Sequence, residues 1–490
     1  MSNSSVDEKA FSYDGRNVDN LEKDEVDPAV MRRILWKIDM VLIPMMMISN
    51  LLQFWDKSTI SYANLMGIRV DAKLTGQQFA WLGSLFYFGY LAWQFPAAYL
   101  LQRLPIRWHL SGAIVAWGTV LACHAACHNF ASLAVCRFLL GVTESVNVPA
   151  FTLITGMYYK REEQTARVSL WFGTVGVSQI LGGAVAWKLF QTDTGSLNRW
   201  QTQFIIPGAI TIAFGLLCFL IVPNSPSEAW FLTEEERVLA MQRISTNKTG
   251  TVSYKFEKYQ VVEALKDPRL YCLALAILTA GIPNGGVSSF GAIIVNGFGF
   301  SPLDSLLLGM STGGSEIVAV IVGYLIARGT NTRIIPALCM IAVAIVGASM
   351  MIGVGVPRNA QFAGYCLVFW WPVAVIYLLS WMASMISGQT KRIVYYVVYQ
   401  VFYAAGNIIG SNIFRDSDAP KYNGAKTGIL IGFVFNAGGL ALIAFYHWRW
   451  NKQRDDLLTD AEKREAEVQE AHVEFSNKTD MEIRSFRWPY

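Results

Sequence analysis

Charge is scarce in this chain. Asp, Glu, Lys and Arg make up 16% of its 490 residues while 53% are hydrophobic, against about 25% charged in a typical soluble domain. That excludes an ordinary soluble enzyme. Histidine is rarer still, at five residues; a membrane redox enzyme would need paired intramembrane histidines, and His124 and His128 alone qualify. Their context, Cys123-His124-Ala-Ala-Cys127-His128, is one residue too long for covalent haem attachment and has no partner cluster. We expect no metal and no cofactor. The seven cysteines, Cys123, Cys127, Cys136, Cys218, Cys272, Cys339 and Cys366, all fall in apolar runs. They read as small packing residues rather than a disulfide framework. No glycine-rich phosphate cradle is present, which argues against an ATP-driven pump, and no repeated filter or ring of like charges suggests a channel. The net charge of +4 says little by itself, since its distribution matters more; no nucleic-acid partner is expected. The first 35 residues lack the basic segment and cleavage site of a signal peptide and read as a disordered tail.

What is present is long apolar runs. A spanning helix needs about 20 mainly apolar residues, and such windows fall near 38–65, 77–101, 109–128, 132–158, 166–190, 203–222, 269–296, 304–327, 334–353, 361–386, 393–414 and 427–448. They are far longer than barrel strands, which alternate over about ten residues. The expected fold is all-α and integral to the lipid bilayer, with twelve transmembrane helices.

One long connection, 223–268, divides the chain into six spans and six more. Thr233-Glu234-Glu235-Glu236 is a capping-box pattern opening a short helix through about Arg243. The expected units are a tail 1–35, a first bundle 36–222, a linker 223–268, a second bundle 269–450 and a tail 451–490. In that last tail Asp455–Glu474 reads as a solvated helix or a disordered stretch. Arg103 and Arg107 after the second span are echoed by Arg328 and Arg333 after the eighth, as expected of parallel six-span repeats with a substrate site between them. Basic residues concentrate on the side of both termini, among them Arg32, Arg33, Lys160, Arg161, Arg167, Lys391, Arg392 and Arg449. The positive-inside bias makes that side cytoplasmic, leaving the sequons at Asn3, Asn247 and Asn477 unglycosylated.

Ionised groups inside the spans are costly, about 2.5–3.5 kcal/mol each on insertion scales, and normally face a bundle interior or an aqueous cavity. Arg137 and Glu144 lie seven residues apart in the fourth run, two turns and about 10 Å along one helix face. Asp56 and Lys57 lie in the outer half of the first. Together the four charges sum to zero. Adding a carboxylate substrate leaves one negative charge uncompensated, and protonating Asp56 or Glu144 restores neutrality while freeing Lys57 or Arg137 to hold the anion. The expectation is one proton with one monoanion; a salt bridge that merely fixes helix packing is the competing reading. Glu316, in the eighth span, has no basic partner at its depth, and either faces the cavity or pairs with a polar side chain. Asn284, beside Pro283 and Gly285-Gly286, marks an expected break in the seventh span. Asn407, among small residues, is either interhelical glue or a substrate contact. Trp370, Trp371, Trp381, Tyr399 and Tyr403 either pack against a ring-bearing substrate or, as such residues more often do, face lipid and neighbouring helices.

The segments FWDKSTISYANL (54–65), GSLFYFGYLAWQFP (83–96), RFLLGVTESVNVPA (137–150), YYKREEQTAR (158–167), FLTEEER (231–237), GQTKR (388–392) and YAAGNIIGSNIFRDSDAPKY (403–422), taken in order, resemble the major facilitator superfamily, and within it the fungal allantoate permease group of anion:cation symporters. The resemblance covers Trp36 to about Trp450. It implies a monomeric proton-coupled carrier of a small organic anion, such as a vitamin or ureide carboxylate, in the plasma membrane. It further implies that Asp56 and Glu144 serve proton coupling and Arg137 anion binding, that Tyr90 touches substrate, and that Trp381 and Tyr403 are the better aromatic candidates. The superfamily's loop signature departs here: Ala98, Gln102-Arg103, Pro105 and Arg107 lack its acidic member, as does Ala327 before Arg328. An exporter running the same gradient backwards and a transporter-derived nutrient receptor are the alternatives.

Overall fold

The computed structural model describes residues 28–245, 256–457, 478–483 and 486–489. Twelve long helices follow in order: α1 (Pro28–Leu65), α2 (Gln78–Leu101), α3 (Ile106–Ala126), α4 (Phe130–Tyr158), α5 (Ala166–Gln191), α6 (Arg199–Ile221), α7 (Pro268–Asn296), α8 (Pro302–Thr330), α9 (Ile334–Ile352), α10 (Arg358–Met385), α11 (Gln389–Asn412) and α12 (Asn423–Leu457). Among the described residues eleven are long and apolar enough to cross a membrane. The twelfth, α2, is 24 residues long and carries no charged side chain; its tyrosines, tryptophans and glutamines lower its hydropathy. The fold is all-α and integral to the membrane.

Helix starts follow local chemistry. Asp267 caps α7 by accepting from Arg269 N, with Pro268 at the first helical position. Ser301 and Pro302 do the same for α8, Asn129 caps α4, and Asn198 with Gln201 forms a capping box on α6. Interruptions fall at Ser145-Val146 in α4, Gly173-Thr174 in α5 and Phe369-Trp370 in α10. The expected break beside Asn284 is not among them: α7 runs unbroken through Pro283. Gly285, two residues on, lets the α11 backbone approach, since a Cβ there would meet Asn407 O at 2.1 Å.

The six-helix halves meet along α1–α7, α2–α11 and α5–α8. At the end opposite the termini the seam is tight. Asn412 Nδ2 donates to Ser84 Oγ at 2.7 Å, Ala292 N to Ser61 Oγ at 2.9 Å, and Phe79 packs edge-on against Phe290. Arg69 pairs with Asp416 across the loops. In α5 and α8, Gly176 and Gly313 face each other; a Cβ on Gly313 would sit 2.2 Å from Gly176 O.

The linker is fastened to both halves. Its Thr233 box closes a helix Glu234–Ser245, held to the first half by Lys37–Glu236 at 2.7 Å and by Arg243–Glu163. The Lys37 ammonium holds Glu236 below the usual carboxylate range. A second linker helix, Lys258–Lys266, joins the second half, where Gln260 Oε1 accepts from Thr390 N at 3.0 Å.

Two expectations about the tails change. The region expected as a tail to residue 35 is helical from Pro28 onward; 1–27 and 458–477 lie outside the described residues, as do the three sequons. Residues 478–483 and 486–489 dock onto the second half. Asp480 bonds Arg269 at 2.6 Å and Lys391 at 2.8 Å, and Trp488 N donates to Asn451 Oδ1 at 3.0 Å. Lys391, expected at the membrane surface, is fully buried in this network.

Candidate functional site

Between the halves lies a cavity of about 470 Å³, within the range of small-molecule sites. It reaches toward the side of the termini: its walls include Thr152 of late α4, Trp171 of early α5, Ile321 of late α8, Leu379 of late α10 and Tyr396 of early α11. The opposite end is closed by the seam described above.

The four charges read from the sequence divide into two groups. Neighbouring residues on an α-helix point about 100° apart, so Lys57 faces the cavity and Asp56 turns away. Lys57 Nζ pairs with Glu144 Oε1 at 3.0 Å, and Gln53 Nε2 donates to the same oxygen at 2.6 Å. Lys57 also lies 5.0 Å from the Phe54 ring and 5.7 Å from that of Phe86. Glu144 is fully buried behind it, at the last turn before the α4 interruption. Asp56 accepts from Trp117 Nε1 at 2.7 Å. Arg137 sits 5.5 Å from the Phe204 ring, its Nε and Nη2 buried without hydrogen-bond partners.

Direct anion binding by Arg137 therefore does not fit this geometry: it is 3% exposed and absent from the cavity wall, held between α4 and α6. Asp56 is likewise removed from the cavity, held toward α3 by Trp117. The single four-charge site expected from the sequence is a cavity-lining Lys57 paired with a buried Glu144, with Asp56 and Arg137 held apart toward α3 and α6.

On the second half, Asn284 Nδ2 lies within hydrogen-bond reach of Tyr87 OH (3.2 Å), Tyr403 OH (2.9 Å) and Asn407 Oδ1 (2.6 Å). Tyr87 belongs to α2, so this cluster also bridges the halves. Asn284 and Tyr403 line the cavity as expected. Asn407 does not; it is fully buried and positions Asn284 from behind, its own Nδ2 bound to Tyr403 O at 2.7 Å. Tyr396, Tyr399 and Tyr403 stack along α11 with ring separations of 6.4 and 5.9 Å and wall the cavity with Tyr90 and Trp371. Trp370 instead donates to Ser315 Oγ at 3.0 Å. Trp381 is a correction: its Nε1 donates to Pro489 O at 2.8 Å and its ring packs against His447. It supports the docked C-terminal segment and does not line the cavity.

Sequence reasoning missed Gln53, Tyr87, Trp117 and the cavity glutamines Gln179 and Gln400. A signal for Gln53 existed: Asn50, Gln53 and Lys57 recur at helical spacing and form one polar stripe in an apolar run. Trp117 carried none, since a tryptophan in a span normally reads as packing. His124 turns inward, stacks on Phe204 and bonds Val120 O, whereas His128 is exposed, so the two do not converge. In place of an acidic latch, Arg107 Nε donates to Val222 O at 2.8 Å and Arg333 to Ser380 O at 3.1 Å, each fastening a helix end within its own half.

Residues 46–411 match the description of the Major Facilitator Superfamily. The chain is 38% identical over 477 residues to the allantoate permease of Saccharomyces cerevisiae, covering 95% of this chain and 87% of that one. It is 35% identical to an uncharacterised transporter of Schizosaccharomyces pombe, over 96% and 91% of the two. With a thiamine pathway transporter of Saccharomyces cerevisiae it shares 32% identity over 95% and 87%. Its fold is similar to the crystal structure of a bacterial homologue of the human lysosomal transporter Spinster, in an inward-facing and unoccupied conformation, with a TM-score of 0.63 and 13% identity over 83% of this chain and 96% of that one. Helical architecture, central cavity and relatives agree that this is a transporter of small solutes rather than an enzyme: the chain belongs to the Major Facilitator Superfamily.

Proposed function

We propose that the chain is a proton-coupled symporter of a small organic anion, acting by alternating access in the plasma membrane with both termini in the cytoplasm. The observation that carries this reading is the pairing of Lys57, on the cavity wall, with Glu144 buried directly behind it. Among the described residues Lys57 is the sole cation lining the cavity, so an anion entering it has one charged partner. That partner is already held by a carboxylate. A proton on Glu144 removes the competing charge, and Lys57 turns to the substrate; without the proton, anion entry leaves a buried negative charge uncompensated. Proton and anion thus bind in each other's favour, which is what symport requires.

In this account Glu144 is the proton-coupling acid and Lys57 the anion-binding base. Tyr90, Tyr403 and Asn284 complete the substrate's surroundings, and Asn407 fixes Asn284. Asp56 and Arg137, opposite charges behind the wall, balance the field at Lys57 rather than touch substrate. The sequence likeness to an allantoate permease supports a carboxylate cargo. Working as a monomer, the protein closes alternately at the α5–α8 seam and at the ends facing the termini.

The test is uptake into a yeast lacking its own carriers. Nicotinate, pantothenate, allantoate and ureidosuccinate are compared at acidic and near-neutral external pH, with efflux from preloaded cells in parallel. Acid-stimulated accumulation of one of these carboxylates, abolished in Glu144→Gln with exchange retained, is the expected result. Accumulation undiminished in Glu144→Gln contradicts the coupling role.

A further inference from the structure

Glu316 is the other charged side chain on the cavity wall, and the Lys57–Glu144 account does not use it. It is 5% exposed, and its Oε2 is buried without a hydrogen-bond partner. On its own helix the neighbouring wall residues Ile317 and Val320 are apolar, Val175 of α5 and Phe369 of α10 also line the cavity, and the polar Gln179 of α5 accepts from Ser58 and Tyr62. The neighbouring hydroxyl, Ser315 Oγ, is engaged with Cys366 O and Trp370 Nε1. Lys57, the one cavity-lining cation among the described residues, is bonded to Glu144 on the other half.

Buried polar atoms without partners are rare and costly. This one belongs to a side chain on the wall of the cavity between the halves, where a transported solute passes. A carboxyl group accepts hydrogen bonds in either protonation state, and the ionised form does nothing else. It repels an anionic end and welcomes a donor. Lys57 on α1 and Glu316 on α8 therefore form two unlike anchors on the two halves of the transporter.

We propose that Glu316 is a specificity-determining substrate contact, accepting an N–H donor (amide or ammonium) from a molecule whose carboxylate is held at Lys57. The inference rests on the anion reading above and narrows it. A plain carboxylate leaves Glu316 unpaired on closure and is rejected for that reason, which is the strong form of polar discrimination. One ligand touching both halves also ties recognition to the change between open states.

The test is equilibrium binding to the purified full-length protein. Succinamate and 4-oxopentanoate differ only in a terminal NH2 replaced by CH3; 4-aminobutanoate supplies an ammonium, and homologues longer by one or two methylenes cover the reach. The expected result is that an N–H-bearing member binds about tenfold or more tighter than its methyl-ketone match. Glu316→Leu should bring that ratio close to one, and Glu316→Gln, which keeps an acceptor oxygen, should lower it only in part. Whether amide or ammonium is preferred identifies the donor. Should Glu316→Leu not fold, the ratio in Glu316→Gln decides, and it must fall. A wild-type ratio near one, or a ratio untouched by substitution of Glu316, overturns the assignment, while carboxylate binding lost in a folded Lys57→Ala, or in Lys57→Ala/Glu144→Gln should the single variant unfold, leaves the anion reading standing. If no carboxylate binds in a Lys57-dependent way, the reading beneath it fails as well.

Discussion

Removing Lys57 should destabilise the protein far more than removing Lys57 and Glu144 together. In the wild type, Glu144 Oε1 is held by Lys57 at 3.0 Å and Gln53 at 2.6 Å while Oε2 has no hydrogen-bond partner. Lys57→Ala leaves a fully buried carboxylate with one neutral donor. Breaking a buried pair from one side costs about 3–5 kcal/mol, and the full burial of Glu144 places this variant toward the upper end. Glu144→Gln is milder. The Lys57 side chain keeps 19% exposure to the cavity, and the introduced amide oxygen still accepts from Gln53, so the loss is one charge-assisted bond, about 1–3 kcal/mol. The double variant removes both charges and leaves no buried ion unpaired, so it should be more stable than Lys57→Ala alone. The coupling energy in the double-mutant cycle should be about 2 kcal/mol or more. The assay is denaturant unfolding of the purified protein in one detergent at neutral pH, followed by tryptophan fluorescence. Additivity of the two single variants within about 0.5 kcal/mol would refute the claim that they form one coupled pair.

Other consequences follow from the seam and from the docked C-terminal segment. Gly313→Val places a side chain against the α5 backbone at Gly176. It should hold the end opposite the termini open, lowering transport rate and raising thiol labelling of cysteines introduced at the Ser84–Asn412 contact; normal transport with unchanged labelling contradicts a closing role for the Gly176–Gly313 contact. At the C-terminal segment, burial alone would raise Asp480 and Asp267. Arg269 and Lys391 outweigh burial and hold both carboxyls below their ordinary range. A depressed acid stabilises the folded state above its unfolded pKa, about 3.9 for Asp, and that stabilisation is lost as pH falls through the lower folded value. Residues 478–489 should therefore stay protected from carboxypeptidase at neutral and mildly acidic pH and be released only below about pH 4; release under mildly acidic conditions contradicts the ion-pair account. Asp480→Asn should release the segment at neutral pH, because Arg269 and Lys391, which also share Asp267, then lose the carboxylate that the segment itself supplies.

Much of this was legible in the sequence. Apolar length located the twelve helices, and the Thr233 box located the linker helix, because both signals are local. Glu144 and Lys57 stood out because a charge in a span demands an interior. The division of the four charges into two layers was less accessible. Spacing along one helix says which residues share a face, but whether that face meets a cavity or a neighbouring helix depends on packing between helices distant in sequence. Arg137 and Glu144 share a face of α4, yet the bundle presents Glu144 to α1 and Arg137 to Phe204 of α6. Trp381 failed for the same reason: its partner, Pro489, lies 108 residues away beyond the last span. The continuity of α7 through Pro283 was hidden because neighbouring backbone, not local propensity, decides whether a proline breaks a membrane helix.

The central claim is that one proton enters with the anion, through Glu144. It is tested most directly in proteoliposomes containing an internal pH indicator and the carboxylate best accumulated in the yeast assay. The account predicts saturable internal acidification on external addition of that carboxylate by the wild type. Glu144→Gln should exchange labelled for unlabelled carboxylate without acidifying the lumen. Carboxylate-driven acidification by Glu144→Gln equal to that of the wild type, above the leak of protein-free vesicles, would contradict it.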